Sequence, residues 1–421
     1  MKILVISNNP FSNCFNNGKT LESLFSWASK DNLAQLFFHD AFNPDLDFCN
    51  NYFKVSDKEI LRNLFNRNAC GRIIEKNVVS CPEGKQYKTS SVLSSLQCFR
   101  DILWKMGYRN KKRALLHEWV LNFAPDCIFF VGGNCGFAHG IALDIAELCR
   151  AKLYSYFTDD YIIYPKYKNI LKNVQRERLK RIYDTTIEAS SCCFVIGEMM
   201  ALEYSKYYKR QFFPIMNSVP IIDFPPKPCD NEFVISYFGN LSLNRWKMII
   251  RFAQLLNCVK GQACIVLRVY STSIPDKHVK ELFSINDIHY MGMVLGDDYR
   301  EALINSDMLL HIESDNLYDK SLTRLSVSTK LPEYMVTCRP IIAYGPKEVA
   351  SMALLSDNNI GYVLNSESVA SENEFQLSKI LTLGSAEYRK MANRAFSYVS
   401  KHFSSQNVLG LFAQLIANHS N

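Results

Sequence analysis

The sequence predicts an α/β protein of two doubly wound, Rossmann-like domains, each a parallel sheet wrapped by helices. Short, strongly apolar runs alternate with amphipathic helical stretches along most of the chain. Many of these runs end in Gly, Asn, Asp or Ser, the residues of strand-to-helix loops. The rhythm stops once, at the proline-rich stretch Pro220 to Cys229, and restarts at Phe233. At 421 residues the chain can bury two separate cores. The expected division is an N-terminal domain over 1–219, a linker over 220–230, a second domain over 231–395 and a terminal helical segment over 396–421.

Composition narrows the class. Hydrophobic content of 48% and charged content of 21% are those of a soluble globular protein. No apolar run approaches the roughly 20 residues of a membrane-spanning helix. Met1 to Ser7 reads as a first strand, being too short for a signal peptide. The 14 cysteines are scattered without any Cys-x-x-Cys, which argues against zinc and against a disulfide framework. They read as small buried apolar residues in a reducing cytoplasm. The net charge of +7 is uneven: residues 1–217 hold 29 Lys and Arg against 21 Asp and Glu, and the remainder 19 against 20. A basic front half is expected to meet something anionic. With no helix-turn-helix, finger or RNA-binding sheet signature, nucleic acid is set aside in favour of an anionic membrane surface.

In chain order, Lys2 to Ser7 and Gln35 to His39 read as buried strands. Between them, Asn16-Asn17-Gly18-Lys19-Thr20 opens a helix, and a strand, a loop with one glycine and a helix start can bring backbone amides to a phosphate. Gly18-Lys19-Thr20 fails as a P-loop because Asn13 stands where the first glycine is required. Ser56 to Trp119 reads as helical, with a looser polar interval near 81–90. Within it, Phe99, Ile102, Leu103, Trp104 and Met106 precede the basic run Arg109 to Arg113, a combination that can lie on an anionic bilayer. Asp126 to Val131 is a buried strand ending in Gly132-Gly133-Asn134, beyond which ligands bind in open α/β sheets. Gly136 to Arg150 is the next helix and carries His139, which reads more simply as a packed helix residue. The strand Leu153 to Phe157 ends in Thr158-Asp159-Asp160, a carboxylate pair that also suits an Asx-turn. Ser191 to Ile196, the helix to Tyr208 and the strand from Phe212 close the first domain.

The second domain restarts with the strand Phe233 to Phe238. Gly239 to Lys247 then leads into a helix through Leu256, and cations with free amides at such a turn suit a diphosphate. Strands follow at Ala263 to Tyr270, Ile288 to Val294, Met308 to Ile312 (ending at Glu313-Ser314), Pro340 to Tyr344 and Gly361 to Leu364. Ala386 to Ala417 is helical.

The densest motif is Ser328-Thr329-Lys330-Leu331-Pro332-Glu333-Tyr334, followed by Pro340 to Gly345. Ser328 or Thr329 is a good N-cap, Pro332 is harmless in a first turn, and Glu333 suits the positive end of the helix. Free amides, hydroxyls and Lys330 form an anion site, and a carboxylate one turn along can accept hydrogen bonds from ribose hydroxyls. Phosphate plus ribose means nucleotide.

This segment resembles the donor-binding segment of GT-B glycosyltransferases, with the retaining family 4 as the nearest pattern. The resemblance implies that Glu333 holds the donor ribose and that Ser328, Thr329 and Lys330 face the donor. It also implies a second acid eight positions earlier; that place is Leu325, and Glu313, an acid in the preceding strand-loop, is the candidate to substitute for it. Gly239, Arg245 and Lys247 resemble the loop that neutralises the leaving diphosphate, with shorter spacing. Met293 falls in the region beside the nucleotide base, and Gly18 and Lys19 in the loop that touches donor phosphates. Asp159 or Asp160 falls where such enzymes place the polar group nearest the reacting sugar, and is the leading catalytic candidate. Gly132, Gly133, Asn134 and His139 are the acceptor-side candidates.

The implied fold is GT-B, two Rossmann-like domains facing a central cleft, with the C-terminal helix crossing back to the first domain. The implied activity is transfer of a sugar from a nucleotide-diphosphate donor to a hydroxyl of a glycan or lipid-linked glycan in bacterial surface polysaccharide synthesis. No cofactor or metal is expected, since the site offers cations at helix starts and no Asp-x-Asp loop of the metal-dependent kind, and the cations take that part. Nucleotide sugar, glycan acceptor and anionic membrane are the expected partners, at the inner face of the cytoplasmic membrane. Two rivals stay open: an epimerase or hydrolase on the same fold, and a non-catalytic sugar-nucleotide or glycan-binding subunit.

Overall fold

The computed structural model describes all residues except 13–15, 41–42, 65–68, 75–96, 165–169, 228–231, 260, 262–263 and 421. The polar interval near 81–90 and Asn13 lie outside the described residues. The chain divides into two compact units, Met1–Ile215 with Leu409–Asn421, and Met216–Val408.

The first unit holds eight strands: β1 (Ile3–Ser7), β2 (Leu33–Phe37), β3 (Asn51–Lys54), β4 (Arg72–Ile74), β5 (Cys127–Gly132), β6 (Lys152–Phe157), β7 (Cys192–Val195) and β8 (Phe212–Pro214). Their order is β4-β3-β2-β1-β5-β6-β7-β8, parallel except for the antiparallel edge pair β3 and β4. Every residue of β1 and β2 is buried, because helices cover both faces of a parallel sheet and leave no side for polar alternation. Strand β4 interrupts the region expected to be helical, and β3 stands just before it. β3 contains a lysine, and it is stable there because Lys54 Nζ donates to the Asp40 carbonyl at 2.9 Å and lies over the Phe37 ring. The terminal residues belong to this unit through Phe412, fully buried against the rings of Phe25, Phe129 and Phe194. The long helix expected from Ala386 is two, Ser385–His402 and Ser405–Ser420, parted at Phe403 and Ser404.

The second unit has a six-stranded parallel sheet of β9 (Phe233–Phe238), β10 (Ile265–Tyr270), β11 (Ile288–Gly292), β12 (Met308–Ile312), β13 (Ile341–Gly345) and β14 (Tyr362–Asn365), ordered β11-β10-β9-β12-β13-β14. Its core packs Ile235, Leu267, Leu310 and Ile342 of the strands against Ile249, Phe252 and Leu256 of the helix Arg245–Val259. Arg339, which follows the positive-φ turn at Cys338, spends its guanidinium on the carbonyls of Ser306, Thr337, Ile304 and Pro225, so a buried cation is satisfied by backbone alone. Strand order reverses between β1 and β5 in the first sheet and between β9 and β12 in the second. In open α/β sheets, the carboxyl edge at such a reversal is where ligands bind.

Candidate functional site at the carboxyl edges of the sheets

In the second unit, the loops after β9 and β12 carry the charged groups. Arg245 Nη2 lies 3.4 Å from Glu313 Oε2, with the arginine side chain 17% and the glutamate 2% exposed. His311, two residues earlier on the same face of β12, places Nε2 3.2 Å from Glu313 Oε1. Burial alone raises the Glu313 carboxyl, but Arg245 and His311 outweigh it and hold the group below the ordinary glutamate range. Glu313 is therefore a buried, ionised carboxylate beside a partly open cation. Gly345 at the end of β13 is required there: a Cβ would stand 2.9 Å from Glu313 Cβ and 3.0 Å from its carbonyl oxygen.

The loop carrying Arg245 is fixed by its own polar residues. Leu243 and Asn244 both adopt positive φ, and Asn244 Nδ2 donates to Asp319 Oδ2 at 2.6 Å, an aspartate that also accepts from Ser314 Oγ at 3.3 Å. Arg245 Nη1 reaches Asn240 Oδ1 at 3.2 Å. Gly239 is closed over by Tyr237, whose hydroxyl would be 2.6 Å from an added Cβ and donates to the Asn240 carbonyl. Lys247 is exposed and lies over the Trp246 ring. Met293, just beyond β11, is also exposed.

A second charged group is built on the short helix Lys330–Met335. Leu331, Pro332, Tyr334 and Met335 face inward, and the Tyr334 hydroxyl accepts from the amide of Phe238 and donates to its carbonyl, tying the helix to the end of β9. That orientation leaves Lys330 and Glu333 on the other side. Glu333 Oε2 accepts from Tyr299 Oη at 2.7 Å and from Lys330 Nζ at 3.0 Å, and the ammonium sits 4.6 Å from the centre of the Tyr299 ring. Thr329 occupies the N-cap position without a side-chain cap bond, while Ser328 Oγ accepts from the Lys330 amide at 3.4 Å. Leu325 is buried, so its place holds packing and no acid.

The first unit treats its candidates differently. Asp160 is fully buried: Oδ1 accepts from the amides of Ile162 and Ile163 and from Tyr204 Oη, and Oδ2 from the amide of Tyr164. Its lone pairs are spent on a loop, which corrects its assignment as a catalytic carboxylate. Asp159, part-exposed and bonded to Thr158 Oγ1, is the member of the pair that faces outward. His139 is the packed helix residue rather than an open acceptor-side group. It is fully buried, lies 3.0 Å from Thr186 Oγ1 and 3.1 Å from the Gly133 carbonyl, and burial lowers its pKa to about 4, so it is a neutral packing residue that holds Gly133. Gly132 accommodates the Phe157 ring, 2.4 Å from where a Cβ would be, while Gly133 has open space and Asn134 is exposed. Gly18 is set by the Pro10 carbonyl, 2.3 Å from an added Cβ, and Lys19 is half-buried on the same helix.

On the helix Gln97–Gly107, Leu103 and Trp104 are core whereas Phe99, Ile102 and Met106 are exposed. Of the basic run beside it, Lys112 donates to the Asn63 carbonyl and Arg113 pairs with Asp144, leaving Arg109 and Lys111 as exposed cations. Sequence reasoning missed Tyr299, Asp319 and His311. Only His311 had a legible signal, its two-residue spacing from Glu313 on one strand.

Two Rossmann-like units of this kind, the second joined to a terminal helix that returns to the first, define the GT-B fold. No family model and no curated protein sequence matches the chain. Among solved structures, it is similar to a mutant of S. aureus TarM in complex with fondaparinux, α-GlcNAc-glycerol and UDP, at 12% identity and TM-score 0.62, covering 100% of both chains. It is similar to the E. coli trehalose-6-phosphate structure bound with UDP-2-fluoro glucose, at 11% identity and TM-score 0.62, covering 100% of this chain and 99% of that one. WaaG, described as a glycosyltransferase involved in lipopolysaccharide biosynthesis, aligns at 11% identity and TM-score 0.58, with 97% and 99% covered. At such identities the likeness establishes the GT-B fold.

Proposed function

We propose that the chain is a glycosyltransferase that moves a sugar from a nucleotide-diphosphate donor to a hydroxyl of a glycan or lipid-linked glycan, in bacterial surface polysaccharide synthesis such as O-antigen or capsule. The observation that carries this reading is the pair of charged groups on the carboxyl edge of the second sheet, Arg245 with Glu313 and Lys330 with Glu333, in a GT-B chain. Glu333 accepts the ribose hydroxyls. Arg245, Lys247 and Lys330 neutralise the diphosphate as it leaves, the part a divalent ion plays elsewhere, so transfer proceeds without a metal. Glu313, kept ionised, accepts hydrogen bonds from hydroxyls of the donor sugar. Asp159 receives the acceptor proton or stabilises positive charge developing at the anomeric carbon.

No helix among the described residues is long and apolar enough to cross a membrane. The exposed Phe99, Ile102 and Met106 beside Arg109 and Lys111 support a peripheral position on an anionic cytoplasmic leaflet, where a lipid-linked acceptor resides.

The test is a thermal-shift screen of nucleotide sugars, followed by turnover with and without candidate acceptor glycans. Acceptor-dependent release of the nucleoside diphosphate is expected. Acceptor-independent turnover of the best donor would instead establish the hydrolase or epimerase reading.

A further inference from the structure

A charged hollow lies in the second unit, at the opposite edge of its sheet from the loops that carry Arg245 and Glu313. It has a volume of about 910 Å³ and is lined by Arg389, Lys390, Arg394 and Lys401, with Tyr398 and His402 at one end. Its floor includes Asn358 and Ile360, which immediately precede β14. Because β14 is parallel to its neighbour β13, this is the amino-terminal edge, opposite the loops that carry Arg245 and Glu313.

The cations are concentrated there rather than scattered. Residues 218–421 carry 19 Lys and Arg against 20 Asp and Glu, yet four of those cations face one hollow that no carboxylate lines. Lys390, Arg394 and Lys401 recur at helical spacing on Ser385–His402, whose only acid, Glu387, is exposed and outside the hollow. Arg389, Lys390 and Lys401 are exposed and make no ion pair with a described residue. Arg394 is steadied by Asn359 Oδ1, 3.4 Å from Nη2, and its Nε is buried without a hydrogen-bond partner among the described residues. Tyr398 and His402 stack at 4.4 Å, forming a flat aromatic wall. An ordinary solvated helix face interleaves both signs of charge. This one presents a single sign to a concave space of ligand-binding size.

We propose that this hollow binds a phosphate-bearing ligand, separate from the nucleotide donor. Lys390 and Lys401 lie eleven residues apart, about 16 Å along a helix at 1.5 Å per residue, so the hollow spans more than one phosphate group. The guanidinium of Arg394 and the flanking ammonium groups donate charge-assisted hydrogen bonds to the phosphate oxygens, and the Tyr398–His402 wall packs against a sugar or glycerol face of the ligand. The ligand is either the headgroup of an anionic lipid or a soluble phosphorylated compound.

Two probes test this: inorganic tripolyphosphate titrated by calorimetry, and flotation with vesicles of phosphatidylcholine and phosphatidylglycerol. Each is applied to the full chain, to Lys390→Gln with Lys401→Gln, and to a control, Lys277→Gln with Lys280→Gln, which removes equal charge from exposed lysines elsewhere. Tripolyphosphate affinity is expected to fall about tenfold in the first variant and less than twofold in the control. Circular dichroism and melting should not change. Loss of vesicle binding alongside assigns a lipid headgroup; loss of tripolyphosphate binding alone assigns a soluble phosphorylated compound. Equal effects in the two variants, or a change under twofold in the first, would overturn the proposal.

Discussion

The two sheets present the same kind of edge, yet they use their polar residues in opposite ways. In the first unit Asp160 and His139 face inward and have every hydrogen bond closed within the fold. In the second unit Arg245, Lys330 and Glu333 keep part of their surface open, and the buried Glu313 is held ionised by its neighbours. A buried carboxylate that accepts three amides and a hydroxyl stabilises a loop. One beside a half-open guanidinium keeps a site charged. Residue type alone does not separate these cases; the partners do.

Asp160→Ala tests that contrast with the largest expected effect. Stranding three amides and a tyrosine hydroxyl is expected to cost the first unit about 4 kcal/mol, since each hydrogen bond to a charged group contributes about 1.5–3 kcal/mol. Urea unfolding should show an early transition of that unit, with nucleotide binding by the second retained.

His139 is next, and its sign can be worked out. Its folded-state pKa of about 4 lies below the ordinary 6.5, so the unfolded chain takes up the proton first. Its contribution is complete above pH 6.5 and is lost as pH falls towards 4, by up to about 3 kcal/mol at 1.36 kcal/mol per unit. The difference in urea midpoint between wild type and His139→Gln should shrink over that window; a constant difference would mean that the imidazole is not kept neutral.

Arg245→Ala is expected to lower kcat/KM about 100-fold, near 2.7 kcal/mol, and kcat more than donor affinity. Equal losses in both would make Arg245 a uniform binding residue. Glu333→Ala should weaken nucleoside-diphosphate affinity about tenfold, near 1.4 kcal/mol, with the acceptor KM unchanged. A further test concerns Glu22, raised to about 8 by burial and by Asp45. Its raised carboxyl favours the folded state below pH 4.5, and that contribution is lost as pH rises through 8, so Glu22→Gln should stabilise the chain at pH 8.5 and not at pH 4.

Much of the fold was legible because buried parallel strands are continuous apolar runs. Phe233–Phe238 and Met308–Ile312 match their expected bounds. β3 was not legible, since its short Asn-Tyr-Phe-Lys run depends on Lys54 finding Asp40 and Phe37 across the fold. Lys330 and Glu333 share a helix, so three-residue spacing shows their contact directly. Arg245 and Glu313 are 68 residues apart and meet only because β9 and β12 are neighbours. Tyr299 carried no local signal, and the choice between Asp159 and Asp160 rests on which one the following loop captures.

Hydrogen–deuterium exchange with and without saturating nucleoside diphosphate addresses the central claim most directly, because it reads both edges at once. Protection is expected across Gly239 to Lys247 and Ser328 to Glu333, with Asp160 to Tyr164 unchanged. Protection confined to the first unit, or none with any of UDP, GDP, ADP or CDP, would contradict a nucleotide site on the second sheet.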